Sequence, residues 1–189
     1  MAIENPIQAY VLVVGAAGID SKGKASSPLT LGTSTPGSVR ISVGGVARNI
    51  AENLSRLGTK TVLLSALGKG GSGKRILANA AEVGIDTQHC LMVDKYRTSA
   101  YLAVLDERGD LVMSVDDMNI LTCLTPRFIS QKRDLVKNAA MVVLDSNLPK
   151  ETINALIKVA QRYKIPVCAD PTSVLLAAKL KPLLADIYM

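Results

Sequence analysis

Three stretches of this 189-residue sequence combine residue types that chemistry needs. GKGGSGK (68–74) matches the G-x-x-x-x-G-K pattern of a phosphate-cradling loop, set between an apolar run and a helix-like run. Such a loop continues with Ser or Thr to hold magnesium, and here the next residue is Arg75. A glycine-rich strand-to-helix turn, with some anion affinity at the helix N-terminus, accounts for the pattern as well. Gly15-Ala16-Ala17-Gly18-Ile19-Asp20 ends an apolar run with small residues and then a carboxylate. In open α/β sheets ligands sit at the carboxyl ends of strands, where Asp20 would accept hydrogen bonds from hydroxyl groups. The plainer reading is a turn-forming Asp. Gly44-Gly45 followed by Asn49 is more pointed: absent side chains let a ligand reach the backbone, and a helix start offers free N–H groups beside the Asn49 amide.

Other chemistries fit less well. The three cysteines, Cys90, Cys123 and Cys168, are scattered and odd in number, with no Cys-x-x-Cys pair for a zinc knuckle or a disulfide framework. Their apolar neighbours suggest buried thiols in a reducing cytoplasm. The single histidine, His89, reads as an ordinary strand residue, and one His builds no multi-His metal site. Lys and Arg total 22 against 16 Asp and Glu, a formal charge of +6 that suits an anionic ligand. The basic residues are dispersed, however, and with no Trp and one Phe the chain lacks the aromatic platforms of nucleic-acid binders. Met1 to Pro6 carry no secretory pattern, and no apolar run approaches the ~18–20 residues of a membrane span.

The elements that must position these residues alternate between strand and helix. Tyr10–Val14, Thr61–Leu67, Met141–Leu144 and Val167–Ala169 read as buried strands. Val46–Leu57, Arg75–Val83 and Lys150–Tyr163 read as helices, and Thr125-Pro126 as a helix start. This alternation predicts a three-layer α/β fold with a largely parallel sheet. Val39–Val43, Ser99–Leu105 and Leu111–Val115 have the alternation of half-exposed strands, with Glu107–Asp110 turning between the last two. They predict a small β appendage. Lys22–Gly37 reads as loop or edge strand, Val174–Leu184 as helix, and Ala185–Met189 as the start of one more buried strand. The sequence therefore reads as the front part of a longer protein.

GGVARNIA (44–51), with Gly58 and Gly68 at their spacings, resembles the first signature of the ribokinase-like (PfkB) carbohydrate kinases. Within that family GGVARNIAENLSRLG (44–58), DDMNI (116–120), DSNLP (145–149) and ADPTS (169–173) are most similar to the pseudouridine-kinase branch. The resemblance implies a ribokinase-like α/β/α sandwich over residues 1–189, with a β-sheet lid from segments near 22–43 and 95–117. It ends before the ATP-binding C-terminal part. It implies that Asp20, the Gly44-Gly45 backbone and Asn49 hold ribose hydroxyls, with Thr98 and Asp117 from the lid region and Asn147 at a strand end as further contacts. Gly18 stands where that branch often has Asn, and 69–73 lacks an acidic residue common in that turn.

The implied activity is transfer of phosphate from ATP to the 5′-hydroxyl of a nucleoside, pseudouridine first. Another sugar or nucleoside kinase of the family, or an inactive sugar- or nucleoside-binding protein, is the alternative. Such transfer rests on positioning and charge neutralisation, with a carboxylate taking the hydroxyl proton. The family's Gly-Ala-Gly-Asp run, which carries that base and an anion hole, is not in this sequence. ATP, magnesium and the base are thus expected outside these residues. The resemblance also implies dimerisation through the lid, and the scattered thiols a cytoplasmic protein.

Overall fold

The computed structural model describes residues 10–188. In chain order the strands are β1 (Tyr10–Val14), β2 (Gly18–Ala25), β3 (Gly37–Gly44), β4 (Thr61–Leu64), β5 (Ala66–Gly68), β6 (Leu91–Val93), β7 (Ser99–Leu105), β8 (Leu111–Asp117), β9 (Ala139–Asp145) and β10 (Val167–Asp170). The α-helices are α1 (Val46–Arg56), α2 (Gly71–Glu82), α3 (Pro126–Gln131), α4 (Arg133–Lys137), α5 (Lys150–Arg162) and α6 (Val174–Ala177).

The main sheet is parallel, in the order β10-β9-β1-β4. Its strands are continuous apolar runs because helices cover both faces. Leu12, Val14, Leu64, Val142 and Leu144 pack toward α3, α4 and α5 through Ile129, Val136, Ile153 and Leu156. Val13 and Leu63 point the other way, onto Ala47 and Ala51 of α1 and Ile76 and Ala80 of α2. These are the three layers expected from the alternation. Thr125 caps α3 as expected, its hydroxyl oxygen accepting from the Phe128 N–H at 3.2 Å.

A second sheet, in the order β3-β2-β7-β8, forms the lid. Of the stretch Lys22–Gly37, read as loop or edge strand, residues 26–36 are loop, but β2 corrects the reading at 22–25. Its residues 18–25 pair with β3 on one side and β7 on the other, making it a central strand. GIDSKGKA carries no strand signal of its own, and two flanking strands impose the extended backbone. The run Thr61–Leu67 is likewise two strands. At Ser65 the chain leaves the main sheet to pair with β6. The buried Ser65 hydroxyl donates to the Gly15 carbonyl at 2.6 Å.

Several local expectations also change. The second helix starts at Gly71 rather than Arg75, so GKGGSGK is a strand end and a first helical turn rather than an open loop. His89 lies in a turn. The three cysteines are half-buried rather than buried. Cys90 donates to the Leu63 carbonyl at 3.3 Å, and desolvation pushes its pKa up to about 11, which keeps it a thiol near neutral pH. The predicted helix 174–184 is the short α6 followed by a separate 3-10 turn at Lys181–Asp186. Tyr188 makes a parallel bridge to Cys168 at the β10 edge, but it is exposed rather than buried. Met1–Pro6 lie outside the described residues. Among the described residues no helix is long and apolar enough to cross a membrane.

Candidate functional site

The site begins where β1 ends and the chain rises into β2. Asp20 lies inside β2, in register with Ser42 of β3 and Tyr101 of β7. Gly44 ends β3 against it. A Cβ on Gly44 would lie 2.5 Å from the Asp20 carboxylate, so a side chain there would turn that carboxylate out of its present position. Gly45 caps α1 at φ +97 and presses on the β1–β2 connection, where a Cβ would meet the Ala16 carbonyl at 2.5 Å. The Arg48 N–H donates to the same carbonyl at 3.1 Å. The start of α1 is thereby pinned beside Asp20.

Asn49 is exposed on the first turn of α1, and its Oδ1 accepts from the Arg48 guanidinium at 2.9 Å. A guanidinium only donates, so the amide NH2 of Asn49 is turned away from Arg48 with its protons available. Arg48 is itself buried and held by Glu52 and by Asn79 of α2.

Asn147 follows the end of β9, and its N–H donates to Asp145 Oδ1 at 2.9 Å. Asp145 is a residue sequence reasoning passed over. It is fully buried, and its Oδ2 accepts from the N–H groups of Ala16 at 2.8 Å and Ala47 at 2.9 Å. Burial pushes this carboxyl above its ordinary value, opposed by those donors. Lys179 lies close by, donating to the carbonyls of Ser146 at 2.8 Å and Leu148 at 3.1 Å. Desolvation holds its pKa down, while the charges of Asp145 and Glu151 raise it. The signal available in the sequence is an Asp that ends a continuous apolar run, two residues before Asn147.

Thr98 and Asp117 are placed differently. Thr98 is buried, with its hydroxyl oxygen taking the Gly68 N–H at 2.9 Å. Asp117 accepts from the backbone and side chain of Asn119 at 3.1 and 2.8 Å. Paired residues of adjacent strands share a face. The register aligns Asp117 with Ala100 and Ile19, on the face opposite Asp20. Asp116, aligned with Tyr101 and Asp20, shares the Asp20 face. The structure thus joins Asp20, Gly44, Gly45, Asn49 and Asn147 through one connected set of contacts, leaves the Thr98 hydroxyl engaged, and sets Asp117 across the sheet.

The family model of the pfkB carbohydrate kinases matches residues 8–188. The chain belongs to the pfkB family of carbohydrate kinases. It is 34% identical over 179 residues to the pseudouridine kinase of Escherichia coli, covering 95% of this chain and 56% of that protein. A carbohydrate kinase from Agrobacterium tumefaciens superposes with a TM-score of 0.85 at 32% identity, over 95% of this chain and 59% of that one. The ribokinase of Arabidopsis thaliana solved with ribose and ATP shares the fold, with a TM-score of 0.77 at 18% identity, covering 87% of this chain and 53% of that one. The chain spans about half the length of the curated relatives it matches.

The matched family is one of carbohydrate kinases, and the resemblance noted in the sequence implies ATP and magnesium. Among the described residues no group of three or more His, Cys, Asp or Glu side chains gathers as metal ligands. Gly71 to Lys74 are already helical, and Arg75 takes the place of a magnesium-holding hydroxyl. No residue of this pfkB chain is therefore assigned to ATP or its metal.

Proposed function

We propose that this chain supplies the acceptor site and lid of a kinase that phosphorylates the 5′-hydroxyl of a nucleoside with ATP, pseudouridine in preference to other nucleosides and sugars. The observation that carries the reading is the Asp20 carboxylate pressed against the side-chain-free Gly44-Gly45 backbone at the start of α1. A carboxylate, an amide NH2 and bare backbone are the partners that ribose hydroxyls, each both donor and acceptor, require. The choice of pseudouridine is supported by the identity to pseudouridine kinase. The polar lid face bearing Asp20, Tyr101 and Asp116 would close over such a ligand and exclude water, favouring transfer over hydrolysis.

Calorimetric titration of the folded chain tests this reading. Pseudouridine is expected to bind more tightly than uridine or ribose, and the 189 residues alone are expected to turn over none of them with ATP. Absence of any nucleoside or sugar binding overturns the acceptor reading. Tighter binding of ribose moves the substrate to a simple sugar.

The same reading includes a homodimer through the lid. The register puts Val39, Ile41, Leu102, Met113 and Val115 on the lid face opposite Asp20. All five are at least half exposed, Val39 at 74%. On that face Ser21 and Gly23 of β2 lie between the β3 and the β7–β8 residues, and two exposed apolar strips flanking small residues suit a second copy of the same sheet. Sedimentation is expected to give a dimer for the chain and a monomer for the variant carrying Ile41→Glu and Leu102→Glu. A wild-type monomer, or a dimer that survives both charges, counts against it.

A further inference from the structure

Three segments meet around the proposed acceptor site: the β1–β2 connection, the start of α1 and the loop after β9. Each sends one backbone N–H to the same side chain. Ala16 and Ala47 donate to Oδ2 of Asp145, and Asn147 donates to Oδ1. None of the three segments is adjacent to another in sequence; Ala16 and Ala47 lie 129 and 98 residues from Asp145. The side chain is sealed from solvent, and Gly15 leaves it room, since a Cβ there would lie 2.4 Å from Oδ2. The loop after β9 is gripped a second time, by Lys179 on the carbonyls either side of Asn147.

The proximity of each donor to a candidate ligand contact gives this arrangement a purpose. Ala16 is beside the backbone that supports Gly45, Ala47 lies two residues before Asn49, and Asn147 is itself a candidate contact. We propose that Asp145 is the positioning residue of the acceptor site, a buried carboxylate post whose two oxygens set the spacing of Asp20, Asn49 and Asn147, with Lys179 bracing the Asn147 loop. This rests on the proposed acceptor function. A carboxylate suits the task because it is an acceptor only, and hydrogen bonds to an ionised acceptor are stronger than neutral ones. An asparagine of the same shape can face its oxygen to Ala16 and Ala47, but its NH2 must then oppose the Asn147 N–H.

Two measurements decide the proposal. In the wild-type chain, nuclear magnetic resonance is expected to detect couplings through the hydrogen bonds from the amide nitrogens of Ala16, Ala47 and Asn147 to the Asp145 carboxyl carbon. Their absence overturns the post, whatever any variant does. In Asp145→Asn, amide exchange is expected to accelerate at Asn147 while Leu12 and Val142 in the sheet stay protected. Affinity for pseudouridine is expected to fall roughly tenfold. Adding Asn147→Ala should then cost little more, because sites acting through one arrangement are not additive. Additive losses, or unchanged affinity with the Asn147 amide released, overturn the positioning role. If the wild-type chain binds no nucleoside or sugar, the acceptor function is what fails, and the couplings still report on the post.

Discussion

Alanine at position 45 is expected to cost about 3 kcal/mol of folding stability and to impair acceptor binding with it. Two effects add. The backbone at Gly45 has φ +97, a conformation that L side chains rarely adopt and that costs on the order of 1–3 kcal/mol. The new methyl would also lie 2.5 Å from the Ala16 carbonyl and 2.7 Å from the Ala17 Cα, and backbone atoms cannot rotate aside as a side-chain tip can. Relief requires α1 to move off the β1–β2 connection. That shift would loosen the Ala47 N–H from Asp145 and displace Asn49. Gly58→Ala is the control: its φ is +83 with nothing within 4 Å, so it carries conformational strain alone, about 1 kcal/mol. Urea unfolding of both variants measures the difference. Equal midpoints for the two would mean that the close approach at Gly45 is relieved locally and does not hold the helix in place.

Removing the Asp20 carboxylate is expected to weaken acceptor binding roughly tenfold to hundredfold, the range for one buried hydrogen bond of about 1–3 kcal/mol. The side chain stands on the polar face of the lid, against Gly44. Its loss leaves the sheet pairing of β2 intact, and melting of Asp20→Ala is expected to stay within about 0.5 kcal/mol of the parent. Asn49→Ala should give a loss in the same range, because its amide NH2 is the group Arg48 leaves unengaged. Calorimetry with pseudouridine reads both variants. Affinity unchanged in either one removes that residue from the site. A matching loss in Asp117→Ala would contradict the register, which sets that residue on the far face of the lid.

Much of this architecture was legible in the sequence, where each element is decided by its own neighbours. The unbroken apolar run Tyr10–Val14, between loop-forming neighbours, reads as a strand covered on both faces, and β1 is one. The three- and four-residue spacing of Ala47, Ile50, Ala51 and Leu54 marked α1, and Thr125-Pro126 marked the start of α3. The signature at 44–51 singles out Gly44, Gly45 and Asn49, which the fold sets together at the start of α1.

What only the tertiary structure decided depends on partners distant in the chain. GIDSKGKA is a central strand because β3 and β7 satisfy its backbone on both edges, not because its residues favour extension. Ser65 divides one apolar run between two sheets, since its two halves pair with β1 and with β6. Asp116 and Asp117 are indistinguishable as letters, yet the pleat alternates faces, and the pairing of Ala100 with Asp117 sends one toward Asp20 and the other away. Asp145 is the clearest case. Its role comes from N–H groups contributed by residues 16 and 47, and no local pattern around residue 145 announces donors that only the folded sheet and helix bring to it.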